Sequence, residues 1–122
     1  MTLRILYVDD EPDIREVACL ALSLDPDLEV RSCASGAEAI EEAVSWRPSL
    51  ILLDVMMPVM DGPATLAALR DRLGDEIMPV VFITARTQAA DIERLAALGV
   101  EGMIAKPFDP MILAAEARAF LA

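Results

Sequence analysis

Histidine is absent from the 122 residues. That removes the imidazole general base, the imidazole phosphoryl carrier and the commonest metal ligand, and leaves Asp, Glu, Lys, Ser, Thr, Tyr and Cys for any chemistry. Positive charge is also scarce. Ten Lys and Arg stand against 21 Asp and Glu, a net charge of −11, so a phosphate backbone is repelled on average and direct nucleic-acid binding is not expected. The two cysteines, Cys19 and Cys33, form no CxxC or metal-ligand spacing; each lies in an apolar-periodic segment and reads as a buried thiol in a reducing compartment. Trp46 and the seven methionines read as packing and not as a cofactor box. Gly62 and Gly99 read as turn and cap residues, with no GxGxxG or P-loop pattern beside them, so nucleotide binding is not indicated. No apolar run approaches the roughly 20 residues that span a bilayer, and Met1 leads straight into a strand-like segment without a cleavable leader. A cytoplasmic protein without membrane partners is the expectation.

The residues present describe a globular domain. Hydrophobic residues are 56% and charged residues 25%, with a mean hydropathy of +0.46, which excludes disorder and a coiled coil. The length suits one domain over residues 1–122. Short apolar, β-branched runs at Leu3 to Val8, Leu28 to Ser32, Leu50 to Leu53, Val80 to Thr84 and Gly102 to Ala105 predict five strands, and near-continuous apolarity in three of them suits a parallel sheet covered on both faces.

Helices are predicted between the strands. Pro12 to Leu24 carries Ile14, Val17, Ala21 and Leu24 as an inward stripe, with Pro12 in the first turn. Ser35 and Glu38 form a capping box for a helix to about Ser45, with Ala39, Ile40 and Val44 apolar. Gly62 and Pro63 open a third, which runs to Leu73 and stops at Gly74. Thr87 caps a fourth, with Ile92, Leu95 and Ala96 inward and Gly99 past its end; Asp109 and Pro110 start a fifth containing Ile112, Leu113 and Phe120. Five βα units with right-handed crossovers wind into an open, doubly wound three-layer α/β sandwich.

Ligands of such sheets bind outside the carboxyl ends of the strands, at a topological switch point. Strand one runs into Asp9, Asp10 and Glu11, strand three into Asp54, strand four into Thr84 and strand five into Lys106 and Pro107. With 21 acids in the chain, an acid after any one strand is unsurprising, since loops are polar and exposed. Their conjunction beside apolar strands is not, because charges this close to a core need partners. Two carboxylates ~4 Å apart repel by about 4 kcal/mol at an effective dielectric of 20, so a cluster of three takes up protons or holds a cation. Oxygen-only donors in a small site favour Mg²⁺ or Mn²⁺ over zinc or a calcium cage. A cation beside a carboxylate, an amine and a hydroxyl is a phosphoryl-transfer arrangement, with Asp54 as nucleophile.

The blocks Ile5-Leu6-Tyr7-Val8-Asp9-Asp10-Glu11-Pro12, Leu52-Leu53-Asp54-Val55-Met56-Met57-Pro58-Val59-Met60-Asp61-Gly62, Ile83-Thr84-Ala85 and Lys106-Pro107-Phe108 together resemble the receiver domain of two-component response regulators, across essentially the whole chain. The resemblance implies strand order 2-1-3-4-5. It implies that Asp54 accepts a phosphoryl group from a phosphohistidine on a histidine kinase or histidine phosphotransfer protein. It further implies that Asp10, Asp54 and the Met56 backbone carbonyl bind Mg²⁺ directly and that Asp9 acts through water. Lys106 then pairs with the acceptor and the phosphoryl group, Thr84 is the switch hydroxyl, and Lys106-Pro107 is a cis peptide. The helix 4, strand 5 and helix 5 face is the expected switching surface and a candidate homodimer surface; the output partner stays open.

Two departures from the family pattern bear on behaviour. Met56 and Arg86, two residues beyond the acceptor and the switch hydroxyl, cannot serve as bases, and slow loss of the phosphoryl group is expected. Met103 stands where aromatic-switching receivers carry Tyr or Phe, which suggests switching by repacking, against the plain reading of a packing substitution. Two other functions compete with the phosphorylated switch. An aspartyl-phosphate phosphohydrolase needs a second Asp two positions after the nucleophile, and Met56 is there, so turnover is not expected. An adaptor that works without phosphorylation has no need of the complete acid and lysine set. The chain reads either as a stand-alone receiver or as a piece of a longer protein.

Overall fold

In the computed structural model, which describes residues 2–85 and 88–121, strands and helices alternate along the chain. The strands are β1 (Leu3–Val8), β2 (Leu28–Cys33), β3 (Leu50–Asp54), β4 (Val80–Thr84) and β5 (Gly102–Ala105). The helices are α1 (Pro12–Ser23), α2 (Gly36–Trp46), α3 (Gly62–Leu73), α4 (Ala89–Ala96) and α5 (Leu113–Ala119), with a 3₁₀ turn over Gly74–Glu76 that the sequence did not suggest. All pairings are parallel and the strand order is 2-1-3-4-5, as the resemblance implied.

Alternation along the strands divides the core in two. Ile5, Tyr7, Leu50, Leu52, Val81, Ile83 and Ile104 pack with Ala18, Ala21 and Leu22 of α1 and Leu113 and Ala117 of α5. Leu6, Val8, Ile51, Leu53, Val80 and Phe82 pack with α2, α3 and Leu95 of α4. The central strands β3 and β4 are buried throughout and β1 from Ile5 to Val8, hence the apolar runs there, while Arg4 is exposed near the start of β1 and the edges β2 and β5 carry polar or half-exposed positions. Cys33 is buried and unpaired, and burial pushes its thiol up to about 12, in keeping with a packing role; Cys19 is half-buried and also free.

Several helix expectations need correction. On α1 the buried stripe is Ala18, Ala21 and Leu22, with Ile14 half-buried at its start; Val17 and Leu24 are exposed. Ile14 and Ala21 lie on the expected side, and the rest of the buried stripe is turned toward Ala18 and Leu22. Of the three residues expected inward on α4, only Leu95 is buried, and Ile92 and Ala96 face solvent. The proposed cap Thr87 lies outside the described residues, as does Arg86. Asp109 and Pro110 do not begin α5. They form a turn in which the Asp109 side chain accepts from Met111 N–H and its carbonyl from Ile112 N–H, and the helix starts at Leu113, leaving Ile112 exposed. Ser35 caps α2 by accepting from Glu38 N–H at 3.2 Å. The cap of α3 is Asp61, which accepts from Ala64 N–H at 2.9 Å.

Candidate functional site

Register brings the predicted rim residues together. Val8 pairs with Leu53, so the next residues, Asp9 and Asp54, lie side by side at the carboxyl ends of β1 and β3. Asp9 keeps the alternation of Ile5 and Tyr7, Asp54 that of Leu50 and Leu52, and Lys106 that of Ile104, which places all three on the α1–α5 side of the sheet. Strand order does the rest: β1 and β3 are neighbours whose helices leave toward opposite faces, and the cleft between those departures is the switch point.

Asp9 is completely buried and Asp54 is 2% exposed, whereas Asp10 is half-buried. One oxygen from each of these carboxylates lies within 4.8 Å of the others, and among the described residues no other His, Cys, Asp or Glu cluster converges in this way. Lys106, the one lysine of the chain, reaches over them with Nζ 3.0 Å from Asp9 Oδ2, 3.3 Å from Asp54 Oδ2 and 3.8 Å from Glu11 Oε1. Its side chain is 14% exposed. Three acids and one ammonium leave a negative excess in a low-dielectric recess, and all the donors are oxygen. That set fits a small hard divalent cation.

The titration of these groups follows from their surroundings. Burial and the Asp9 carboxylate push Asp54 up to about 6 against the opposing pull of Lys106. Burial works against the Lys106 ammonium, but the Asp9 hydrogen bond and the two carboxylate charges outweigh it and leave its pKa raised. Lys106 is therefore a fixed cation at neutral pH.

Asp9 is held by more than the lysine. Its Oδ2 also accepts from the Tyr7 hydroxyl at 3.1 Å and its Oδ1 from Glu11 N–H at 3.0 Å, while Arg15 of α1 donates to its main-chain carbonyl at 2.9 Å. The Tyr7 ring meets Phe108 edge-on at 6.3 Å. Sequence reasoning missed Tyr7, Arg15 and Phe108 as neighbours of the site. For Tyr7 a signal was present, since residues i and i+2 of a strand share a face. Lys106-Pro107 is cis.

Thr84 is buried at the end of β4, opposite Ala105, and its alternation follows Phe82 to the α2–α4 side of the sheet. It reaches the same carboxyl edge as Asp54, whose register partner is Ile83. The Met56 side chain is exposed and walls a groove of about 480 Å³ beside Asp54 and Lys106, shared with Ile14, Val17, Pro107 and Phe108. Met103 is half-buried against the α2–α4 core and lies across from Phe82. Behind Asp54, Gly62 packs so closely that a Cβ there would lie 2.8 Å from Val55 Cα and 2.9 Å from the Asp54 carbonyl, which accounts for glycine after the Asp61 cap.

An open parallel α/β sheet with three acids and a lysine at its switch point is the class that fold and site define. The profile of the response regulator receiver domain matches residues 5–118, and the chain belongs to that family. It is 37% identical over 120 residues to response regulator Rre1 of Synechocystis, covering 98% of this chain and 52% of that one. It is 38% identical over 120 residues to the transcriptional regulatory protein PrrA of Mycobacterium leprae, covering 97% and 49%. The chain thus spans about half the length of the curated relatives it matches. Among solved structures, the chemotaxis protein CheY4 of Vibrio cholerae superposes with a TM-score of 0.87 at 31% identity, covering 98% of this chain and 99% of that one. This is a receiver domain of a two-component response regulator, a signalling module of a kind that interacts with histidine kinases. No helix among the described residues is long and apolar enough to cross a membrane.

Proposed function

We propose that residues 1–122 act as one phosphoacceptor domain, taking a phosphoryl group onto Asp54 from a phosphohistidine of a histidine kinase or histidine phosphotransfer protein. The observation that carries this reading is the position of Asp54, at a strand end, buried, with Lys106 Nζ at 3.3 Å and two further carboxylates within 4.8 Å. An Asp54 carboxylate oxygen attacks phosphorus, the P–N bond to the donor imidazole breaks, and an acyl phosphate remains. The donor imidazole leaves with the bonding electron pair and is protonated by solvent.

Asp10, Asp54 and the Met56 carbonyl would hold Mg²⁺ or Mn²⁺ directly, and Asp9, whose oxygens are already engaged, would act through water. When bound, the cation neutralises charge on the equatorial phosphoryl oxygens. Lys106 supplies a second positive charge beside the acceptor, and it is kept protonated by Asp9 and Asp54. Thr84 is the hydroxyl that would bond a phosphoryl oxygen and shift β4 and β5 with it. The groove beside Asp54 is lined mainly by apolar side chains and suits an incoming apolar protein surface.

The domain serves as a switch that modifies itself and does not turn over a substrate. Intact-mass measurement with acetyl phosphate should show one phosphoryl addition that depends on Mg²⁺, and none in Asp54→Ala. One addition at the wild-type rate in that variant would place the acceptor elsewhere.

A further inference from the structure

Tyr7 meets two neighbours of Lys106, the Asp9 carboxylate and the Phe108 ring. Its hydroxyl donates to Asp9 Oδ2 at 3.1 Å, the same oxygen that accepts from Lys106 Nζ at 3.0 Å. Its ring meets the ring of Phe108, two residues downstream of the lysine, at 6.3 Å and 74°. Tyr7 is itself fully buried in β1, an interior strand hydrogen-bonded on both sides, to β2 and to β3. The loop carrying Lys106, by contrast, hangs from the end of the short edge strand β5.

We infer that Tyr7 is a positioning residue for Lys106: its hydroxyl fixes the Asp9 carboxylate that holds the ammonium, and its ring fixes the loop backbone through Phe108. A long lysine side chain loses much rotamer freedom when held, and two anchors fixed to the central strand meet that cost before a donor arrives. The same hydroxyl occupies an Asp9 lone pair. With Tyr7, Lys106 and Glu11 N–H all donating to it, Asp9 is left with little capacity for direct metal contact. A tyrosine serving only as core filler would also need a partner for its buried hydroxyl, but would not alter the lysine when that hydroxyl is removed.

The inference rests on the phosphoacceptor reading only for its kinetic consequence, and the test separates the two. Because the chain has one lysine, protein labelled with [¹³Cε]lysine gives a single side-chain signal that reports Lys106 alone. Tyr7→Phe keeps the ring and removes the hydroxyl. In metal-free protein the two Hε resonances, inequivalent while the ammonium is held, should collapse toward one shift. Phosphorylation by acetyl phosphate at saturating Mg²⁺ should slow about tenfold, the low end for a hydrogen bond to a charged group. Phe108→Leu, which leaves the hydroxyl in place, should move the same signal in the same direction by less, and it stands in if Tyr7→Phe does not fold. An unchanged Lys106 signal in the folded variant overturns the inference, as does a moved signal with an unchanged rate. A moved signal in a protein whose wild type is never phosphorylated supports the positioning and refutes the phosphoacceptor reading instead.

Discussion

Neutralising Asp54 should stabilise the metal-free fold. Asp54 is 2% exposed, and burial together with Asp9 raises its carboxyl from the ordinary 3.8 to about 6 even with Lys106 at 3.3 Å. A displacement of about two pH units at about 1.4 kcal/mol each makes ionised Asp54 a liability of about 3 kcal/mol to the folded state. Asp54→Asn removes that charge with almost no change of shape, and its amide can donate to Asp9, while Lys106 keeps its 3.0 Å bond to Asp9. The folded carboxyl binds its proton more tightly than the unfolded one. Wild type therefore matches the variant below about pH 4, falls behind as the unfolded state ionises between about pH 4 and 6, and stays behind by a constant margin above that. Urea titrations in chelator should show a midpoint gap near zero at pH 4 that opens to its full size by pH 7. Mg²⁺ should then raise wild type selectively, by about 2.7 kcal/mol at a hundred times its dissociation constant. Equal midpoints at pH 7 in chelator, or a gap that does not narrow at pH 4, would refute the reasoning.

Further outcomes follow from single contacts. Asp10→Ala should weaken Mg²⁺ binding in a calorimetric titration more than Asp9→Ala does; equal affinities would overturn the division into direct and indirect acids. Asp9→Ala should nonetheless be the less stable variant, because it strands the buried Tyr7 hydroxyl, at a cost of about 1–3 kcal/mol by chemical denaturation. Val59 sits at φ +68 in a tight turn closed by Met60 N–H on the Pro58 carbonyl, with its side chain fully exposed, so Val59→Gly should stabilise by about 1 kcal/mol despite the entropy glycine adds to the unfolded chain. Met56→Asn places an amide where an apolar side chain now walls the groove, and should shorten the phosphoryl lifetime measured by mass; an unchanged lifetime would remove Met56 from the account.

Much of this protein was legible in its sequence because the information is local and periodic. Unbroken apolarity in Leu50–Leu53 and Val80–Ile83 announces strands buried on both faces, and the polar residue that ends each run marks the carboxyl edge. Those ends supplied Asp9, Asp54, Thr84 and Lys106. Helix faces were less secure. Val17 and Leu24 are as apolar as the residues that are buried, and which side of α1 meets the sheet is settled by packing against β1 and α5 and not by apolarity alone. Likewise Ile92 of α4 stays exposed, and so does Ile112, which lies in the turn before α5 and not on its inward face.

The sequence by itself determined the element types, the rim residues and their charges, since periodicity and residue chemistry are properties of the chain. Only the tertiary structure decided that Asp9 and Asp54 are register neighbours, that Lys106 crosses 97 and 52 residues of sequence to bridge them, and that a core tyrosine ends on the same oxygen as the lysine. Those facts depend on strand order and register, which bring distant segments within hydrogen-bonding distance, and no local pattern encodes which oxygen two donors will share.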